Sequence, residues 1–149
     1  MQTSHHARYL LGGIALVFLI TVLAGCSNAK AVTGSLRDEI LAYADPATDS
    51  ILQGMNDHDY ATFSKDFDDT MKNAINETQF QSMEQTIIGK VGKYVSRKLD
   101  SVVDQDKYYQ VMYNAKFEQD DPVLVRVVFT KDTHQVSGLF FDSAKLRQK

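Results

Sequence analysis

Residues 108–129 read YYQVMYNAKFEQDDPVLVRVVF, and the period of this stretch decides the fold. Tyr109, Val111, Tyr113, Ala115 and Phe117 alternate with Tyr108, Gln110, Met112, Asn114 and Lys116. Successive side chains of a strand point to opposite faces, so the first set shares one face and the second the other. Asp120-Asp121-Pro122 supplies turn residues. Beyond it Val123, Val125, Val127 and Phe129 face inward, with Leu124, Arg126 and Val128 opposite. Two strands joined by so short a connection are antiparallel neighbours.

The same pattern extends in both directions. Toward the C-terminus, Lys131 to His134 is a turn and Val136 to Phe141 a strand, in which Gly138 permits a bulge. Toward the N-terminus, Asp104-Gln105-Asp106 is a turn and Tyr94 to Val103 a strand with a polar middle. Upstream of Gly92 the period becomes helical. Asn76, with Gln79 three residues on, caps a helix whose stripe is Phe80, Met83, Ile87, Ile88 and Val91. Gln81, Ser82, Glu84 and Gln85 lie outside that stripe, and Gly89 and Gly92 lie near its end, where a glycine can adopt the left-handed conformation that stops a helix.

Earlier still, Tyr60, Phe63, Phe67 and Met71 recur at spacings of three and four, although 67–75 also fits an extended piece. Asp45-Pro46 reads as an N-cap and first helical position, opening a helix that buries Ala47, Ile51, Leu52 and Met55 and ends in a turn at Asn56-Asp57. Ser35-Leu-Arg-Asp38 caps a separate short helix containing Ile40 and Leu41. Helices first and a meander afterwards make an α+β domain: N-terminal helices packed on a curved antiparallel sheet of about four strands.

The beginning of the chain reads differently. Tyr9 to Gly25 carries no charge, Arg8 lies before it, and Leu23-Ala24-Gly25 precedes Cys26, the single cysteine of the 149 residues. A positive start, an apolar run and small residues before a processing point form a secretory signal. Seventeen residues with three glycines are short for a membrane span, which takes about 20. Leu23-Ala24-Gly25-Cys26 resembles the lipobox of bacterial lipoproteins, which implies a diacylglyceryl group on the Cys26 thiol and cleavage just before it. Two or more acyl chains hold a protein stably at a membrane, at about 0.8 kcal/mol per buried CH₂. The expected organisation is a signal over 1–25, a lipidated cysteine and flexible tether over 26–34, and one α+β domain over 35–149. The expected location is the cell envelope, on the extracytoplasmic face of a membrane.

Residues 47 to 141 resemble the nuclear-transport-factor-2-like fold, and within it the domain-of-unknown-function family 3887. The resemblance is carried by ILQGMNDHDY (51–60), FSKDFD (63–68), Met71-Lys72, GKVGKY (89–94), and Val128-Phe129 leading to VSGL (136–139). It implies a cone-shaped, cystatin-like domain with a pocket between helices and sheet, often dimeric through the outer sheet face. It brings no catalytic residues. Members of the family occur as envelope lipoproteins and as modules joined to hydrolases.

The chemistry visible in the residues is sparse. From Arg37 to Gly89 there are eleven acidic residues against three basic, and from Lys90 to Lys149 eight against eleven. With a net charge of −3 and basic residues scattered among strands, nucleic-acid binding is excluded as an expectation. A Cys/His metal cluster, a Gly-rich phosphate loop and a nucleophile elbow are missing, so no metal and no cofactor is expected. The acidic run from Asp57 fails as an EF-hand, with Ala61, Thr62 and Asp68 at its required positions.

Tyr60, Tyr109 and Tyr113 are candidates to line a pocket, but no carboxylate falls on the assigned inward faces to serve as a base. Tyr108, Met112, Leu124, Arg126 and Val128 form a mixed outer face suited to a second copy of the chain. The leading expectation is a membrane-anchored, non-catalytic lipoprotein binding an unknown protein or small molecule. The alternative is an isomerase-like or hydrolase-associated enzyme with a tyrosine-lined pocket.

Overall fold

The structure is a computed structural model and describes residues 29–148. The expected signal, with Leu23, Ala24, Gly25 and Cys26, lies outside the described residues. In chain order the elements are β1 (Lys30–Ala31), α1 (Gly34–Asp57), α2 (Tyr60–Phe63), α3 (Asp69–Ala74), α4 (Glu77–Val91), β2 (Tyr94–Gln105), β3 (Tyr108–Phe117), β4 (Asp120–Thr130) and β5 (Val136–Asp142). The fold is α+β, helices before an open, curved antiparallel sheet ordered β1-β2-β3-β4-β5. It agrees with the architecture that the resemblance implies.

The alternation in 108–129 is realised as read. Val111, Tyr113, Ala115, Phe117, Val123, Val125, Val127 and Phe129 are all buried in one core. Val111 faces Val127 and Tyr113 faces Val125 across the ladder, so the inward sets of β3 and β4 meet as cross-strand pairs. The connection is tighter than expected: Asp120, Asp121 and Pro122 belong to β4, and Glu118-Gln119 make the turn. The sheet has one strand more than expected. Lys30 and Ala31, placed in the tether by sequence, pair with Asp104 and Val103, and the Val32 N–H donates to the Val102 carbonyl at 2.8 Å. Val32 is buried, which explains why the segment lies on the sheet edge.

The helical half departs from expectation at Pro46. In place of a short helix, a break and a second helix, α1 runs unbroken for 24 residues with Pro46 inside it. Proline in a helix interior costs about 3 kcal/mol through the lost N–H and ring clash. Ile40, Ala44, Ala47, Ile51, Leu52 and Met55 are buried along a stripe that crosses the proline, and burying each large aliphatic side chain contributes about 1.5–3 kcal/mol. Continuous burial therefore outweighs the local break. The expected cap at Ser35 is also absent; Thr33 is the N-cap and makes no side-chain bond there.

Asn76 caps α4 as expected, accepting from the N–H groups of Thr78 and Gln79. Phe80, Ile87 and Val91 are buried on its inner face, but Glu84, expected to point outward, is buried as well, at 5% exposure. Between 67 and 75 both readings hold in part. Phe67 bridges to Val136 in parallel, and α3 follows immediately, capped by the Asp68 carboxylate on the Met71 N–H.

Candidate functional site

One end of the domain gathers the start of α1, the β2–β3 turn and the β4–β5 turn. Here a pocket of about 260 Å³ is lined by Leu36, Glu39, Ile40, Tyr43, Tyr109, Lys131 and His134. The helical spacing of three and four brings Leu36, Ile40 and Tyr43 to one face of α1, while Tyr109 stands near the start of β3. His134 sits in the left-handed region, φ 57°, within the β4–β5 turn. Its ring stacks on Tyr43 at 4.2 Å between centroids, and Phe129 meets Tyr43 edge-on at 5.5 Å. Lys131 places its ammonium 4.8 Å above the Tyr109 ring and 2.6 Å from Asp104 Oδ1. Beside this pocket, a wider cleft of about 470 Å³ runs between the two turns, lined by Asp106, Lys107, Tyr108, Thr130, Lys131 and Asp132.

The Tyr43 hydroxyl is the unusual group of this end. It is buried, and no hydrogen-bond partner reaches it among the described residues. Burial, helped by the nearby Tyr109, pushes its pKa up to about 12, so at neutral pH it is a protonated donor. A buried hydroxyl left without a partner costs roughly 1–3 kcal/mol.

The three tyrosines expected in one pocket are placed apart. Tyr109 lines the pocket just described. Tyr60 packs among Phe63 and Phe80, with its hydroxyl donating to the Ile75 carbonyl at 2.9 Å, which is a structural role. Tyr113 is fully buried, its hydroxyl 2.9 Å from Asp45 Oδ1 and its ring covered by the Arg97 guanidinium at 4.4 Å. Burial raises its pKa. Arg97 also donates to Asp45 Oδ1 at 2.8 Å, to the Asp45 carbonyl at 3.0 Å and to Asp49 Oδ1 at 3.0 Å, tying β2 to α1. A carboxylate does stand beside Tyr113, but a cation engages it and the tyrosine ring is roofed over.

Tyr43 is not legible from sequence, because Asp45-Pro46 reads as the start of a helix. That assignment cut the Leu36, Ile40, Tyr43, Ala47 spacing in two. Continued through the proline, the same periodicity would have placed Tyr43 on the inner face.

The motif ILQGMNDHDY builds a corner. A side chain at Gly54 would put its Cβ 2.5 Å from the Phe63 nitrogen, so the glycine admits the backbone of α2. Asn56 binds Tyr94 from both sides of its amide. His58 ends α1 at φ 58° and pairs through Nδ1 with the buried Glu84. Asp59 caps α2 through the N–H groups of Ala61 and Thr62, and the Thr62 hydroxyl beside it holds its carboxyl below the ordinary range. Every polar residue of the corner from Asn56 to Tyr60, apart from Asp57, which accepts from Gln53 on the same helix, thus joins separate elements or caps one.

On the outer sheet face, Ser101, Met112, Arg126 and Phe140 stand in one register row across four strands. The Arg126 guanidinium lies 4.9 Å over the Phe140 ring, which is 46% exposed. Leu124 and Val128 flank this row on β4, and Tyr108 is exposed toward the turn end. No group of three or more His, Cys, Asp or Glu among the described residues is placed to hold a metal ion, and no described helix is long and apolar enough to cross a membrane.

Helices laid on an open antiparallel sheet, with a pocket at one end and a corner fixed by structural polar contacts, define an α+β pocket-bearing domain. Within that class the chain belongs to the family described as protein of unknown function (DUF3887), whose model matches residues 48–139. No curated protein and no solved structure matches the chain.

Proposed function

We propose that this chain is an extracytoplasmic lipoprotein, anchored through Cys26, whose folded domain binds a partner or small ligand without catalysing a reaction. The observation that carries the binding part is the turn-end pocket itself, where the apolar side chains of Leu36 and Ile40 meet the charged groups of Glu39 and Lys131 beside the Tyr43 ring. A concave site of this kind, with apolar walls and convergent polar groups in about equal share, suits a small ligand that carries both. The anchoring part is supported by the Leu23-Ala24-Gly25-Cys26 pattern at the end of an uncharged run. A second copy of the chain is the partner proposed for the outer face, where Phe140 and Leu124 flank Arg126.

The enzymatic alternative has one observation in its favour, the carboxylate of Asp45 next to the Tyr113 hydroxyl. General acid–base chemistry needs both groups within reach of a substrate, and Arg97 covers one and neutralises the other. The non-catalytic reading is therefore the stronger.

Native mass spectrometry of the protein extracted from its own membrane tests the proposal in one measurement. The expected species starts at Cys26, carries acyl mass on that residue, and retains a small molecule that is lost when the pocket's charged group is removed in Lys131→Ala. A mass equal to the unprocessed chain would refute the anchor, and an empty pocket in both forms would refute the ligand.

A further inference from the structure

The sheet edge fixes where the chain enters the domain. Lys30 pairs with Asp104 and Ala31 with Val103, and the buried Val32 is bonded to Val102. β1 is antiparallel to β2, so the chain arrives at the end of β2 that leads into the Asp106-Lys107 turn. Three residues lie between Cys26 and Lys30, and the four steps from one to the other reach about 14 Å when fully extended. β2 has 12 residues, and at about 3.3 Å per residue its other end lies roughly 36 Å farther on.

From this we infer that the end formed by the β2–β3 and β4–β5 turns rests on the phospholipid headgroup surface, with the Tyr43 pocket at lipid level. The inference rests on the proposed lipid anchor at Cys26. A leash of about 14 Å that ends in an ordered strand keeps this end beside the lipid at every tilt, whereas the Tyr94 end touches the lipid only if the domain lies flat. The surface chemistry agrees with such a partner. Leu36 is 42% exposed and Tyr108 40%, an aliphatic group and an amphipathic ring of the kind that settles at headgroup depth. Lys30 and Lys107 carry long stems whose ammonium groups reach phosphates, and Asp106 and Asp132 line one cleft with Lys107, where they meet choline or ethanolamine. Both signs being present, docking should not require anionic lipid.

The test uses the acylated full-length lipoprotein in phosphatidylcholine vesicles containing a headgroup spin-labelled lipid. Lipidation consumes the thiol of the single cysteine, so Lys107→Cys and Lys93→Cys each offer one thiol for a fluorophore, at opposite ends of β2. The Lys107 probe should be quenched several-fold more than the Lys93 probe. Equal quenching, as for a domain lying flat, or the reverse order overturns the inference, provided mass spectrometry of the same sample finds acyl groups on Cys26. Missing acyl groups overturn the anchor itself, and the inference falls with it. Inserting a flexible linker of about twelve Gly/Ser residues between Ala29 and Lys30 lengthens the leash without touching the fold. The difference between the probes should then shrink; an unchanged difference overturns the leash as its cause.

Discussion

Asn56 grips the backbone of Tyr94 with both arms of its amide. Its Nδ2 donates to the Tyr94 carbonyl at 2.8 Å, and its Oδ1 accepts from the Tyr94 N–H at 2.9 Å. The residues are 38 apart in sequence, and the contact joins the last turn of α1 to the first residue of β2. Tyr94 opens a bulged stretch, with the register shifting between Tyr94 and Ser96, so the side chain supplies bonds to a backbone at an irregular strand start. Asn56→Ala should destabilise the domain by about 2–3 kcal/mol, because two part-buried backbone groups lose partners at roughly 1–3 kcal/mol each and water recovers some of it. Asn56→Asp should cost about as much, since its carboxylate can only accept and would face a carbonyl. Urea unfolding of both variants checks this; a loss under about 0.5 kcal/mol would show the contact to be incidental.

Gly54 makes a second, independent test of the corner. A methyl group there would lie 2.5 Å from the Phe63 nitrogen and 2.9 Å from the Asp59 carbonyl, both backbone atoms that cannot swing aside. Gly→Ala in an exposed helix normally gains up to about 1 kcal/mol. Here Gly54→Ala should instead cost about 1–3 kcal/mol as an overpacked contact. Gly89, on the exposed side of α4 with nothing within 4 Å of its hypothetical Cβ, is the control: Gly89→Ala should stabilise the domain. Thermal melts of the two variants should move in opposite directions.

The strands were legible because alternation is a local signal and core burial enforces it: Val111, Val125 and Val127 landed where their period put them. The helices were harder wherever a local rule competed with tertiary burial. Asp45-Pro46 carries a strong start signal, yet the stripe from Ile40 to Met55 kept α1 whole. Glu84 lies off the apolar stripe of α4, but the exposed His58, brought over by the left-handed end of α1, pairs with it and covers it. Lys30-Ala31 had too little pattern to be recognised as a strand; only the edge of β2 gives the segment its place. Tyr109 lies on the inward face of β3 and lines the turn-end pocket, whereas the start signal at the proline obscures the helix that carries Tyr43 to it.

Tyr43 gives a prediction with a pH sign. Its folded pKa of about 12 exceeds the ordinary value of 10.0. Between those two values the unfolded chain has released the phenolic proton while the folded protein retains it, so stability falls as pH rises from about 10 and is unaffected by this group below. Tyr113, raised in the same direction by burial, adds to the fall. Ultraviolet titration should show the last part of the tyrosinate signal appearing together with unfolding. Tyr43→Phe should remove the unpartnered hydroxyl at no loss of stability, or with a gain of up to about 1 kcal/mol. A clear loss would mean that the hydroxyl has a partner, such as a bound water, in solution.

The outer sheet face yields the last prediction. Met112, Arg126 and Phe140 share one register row, Leu124 and Val128 flank it, and no described element covers it. An arginine stacked on an exposed aromatic, with aliphatic neighbours, is the composition enriched at the centres of protein interfaces. If a second copy occupies this face, the folded domain should sediment as a dimer at micromolar concentration. Leu124→Lys should convert it to monomer by burying unpaired charge at the contact, and Phe140→Ala should weaken dimerisation at least tenfold, which corresponds to about 1.4 kcal/mol. Both positions lie on the face away from the core, so melting of the monomeric variants should stay within a few degrees of the parent once concentration is taken into account. A parent that is monomeric at every concentration tested removes the dimer and leaves the face without a proposed partner.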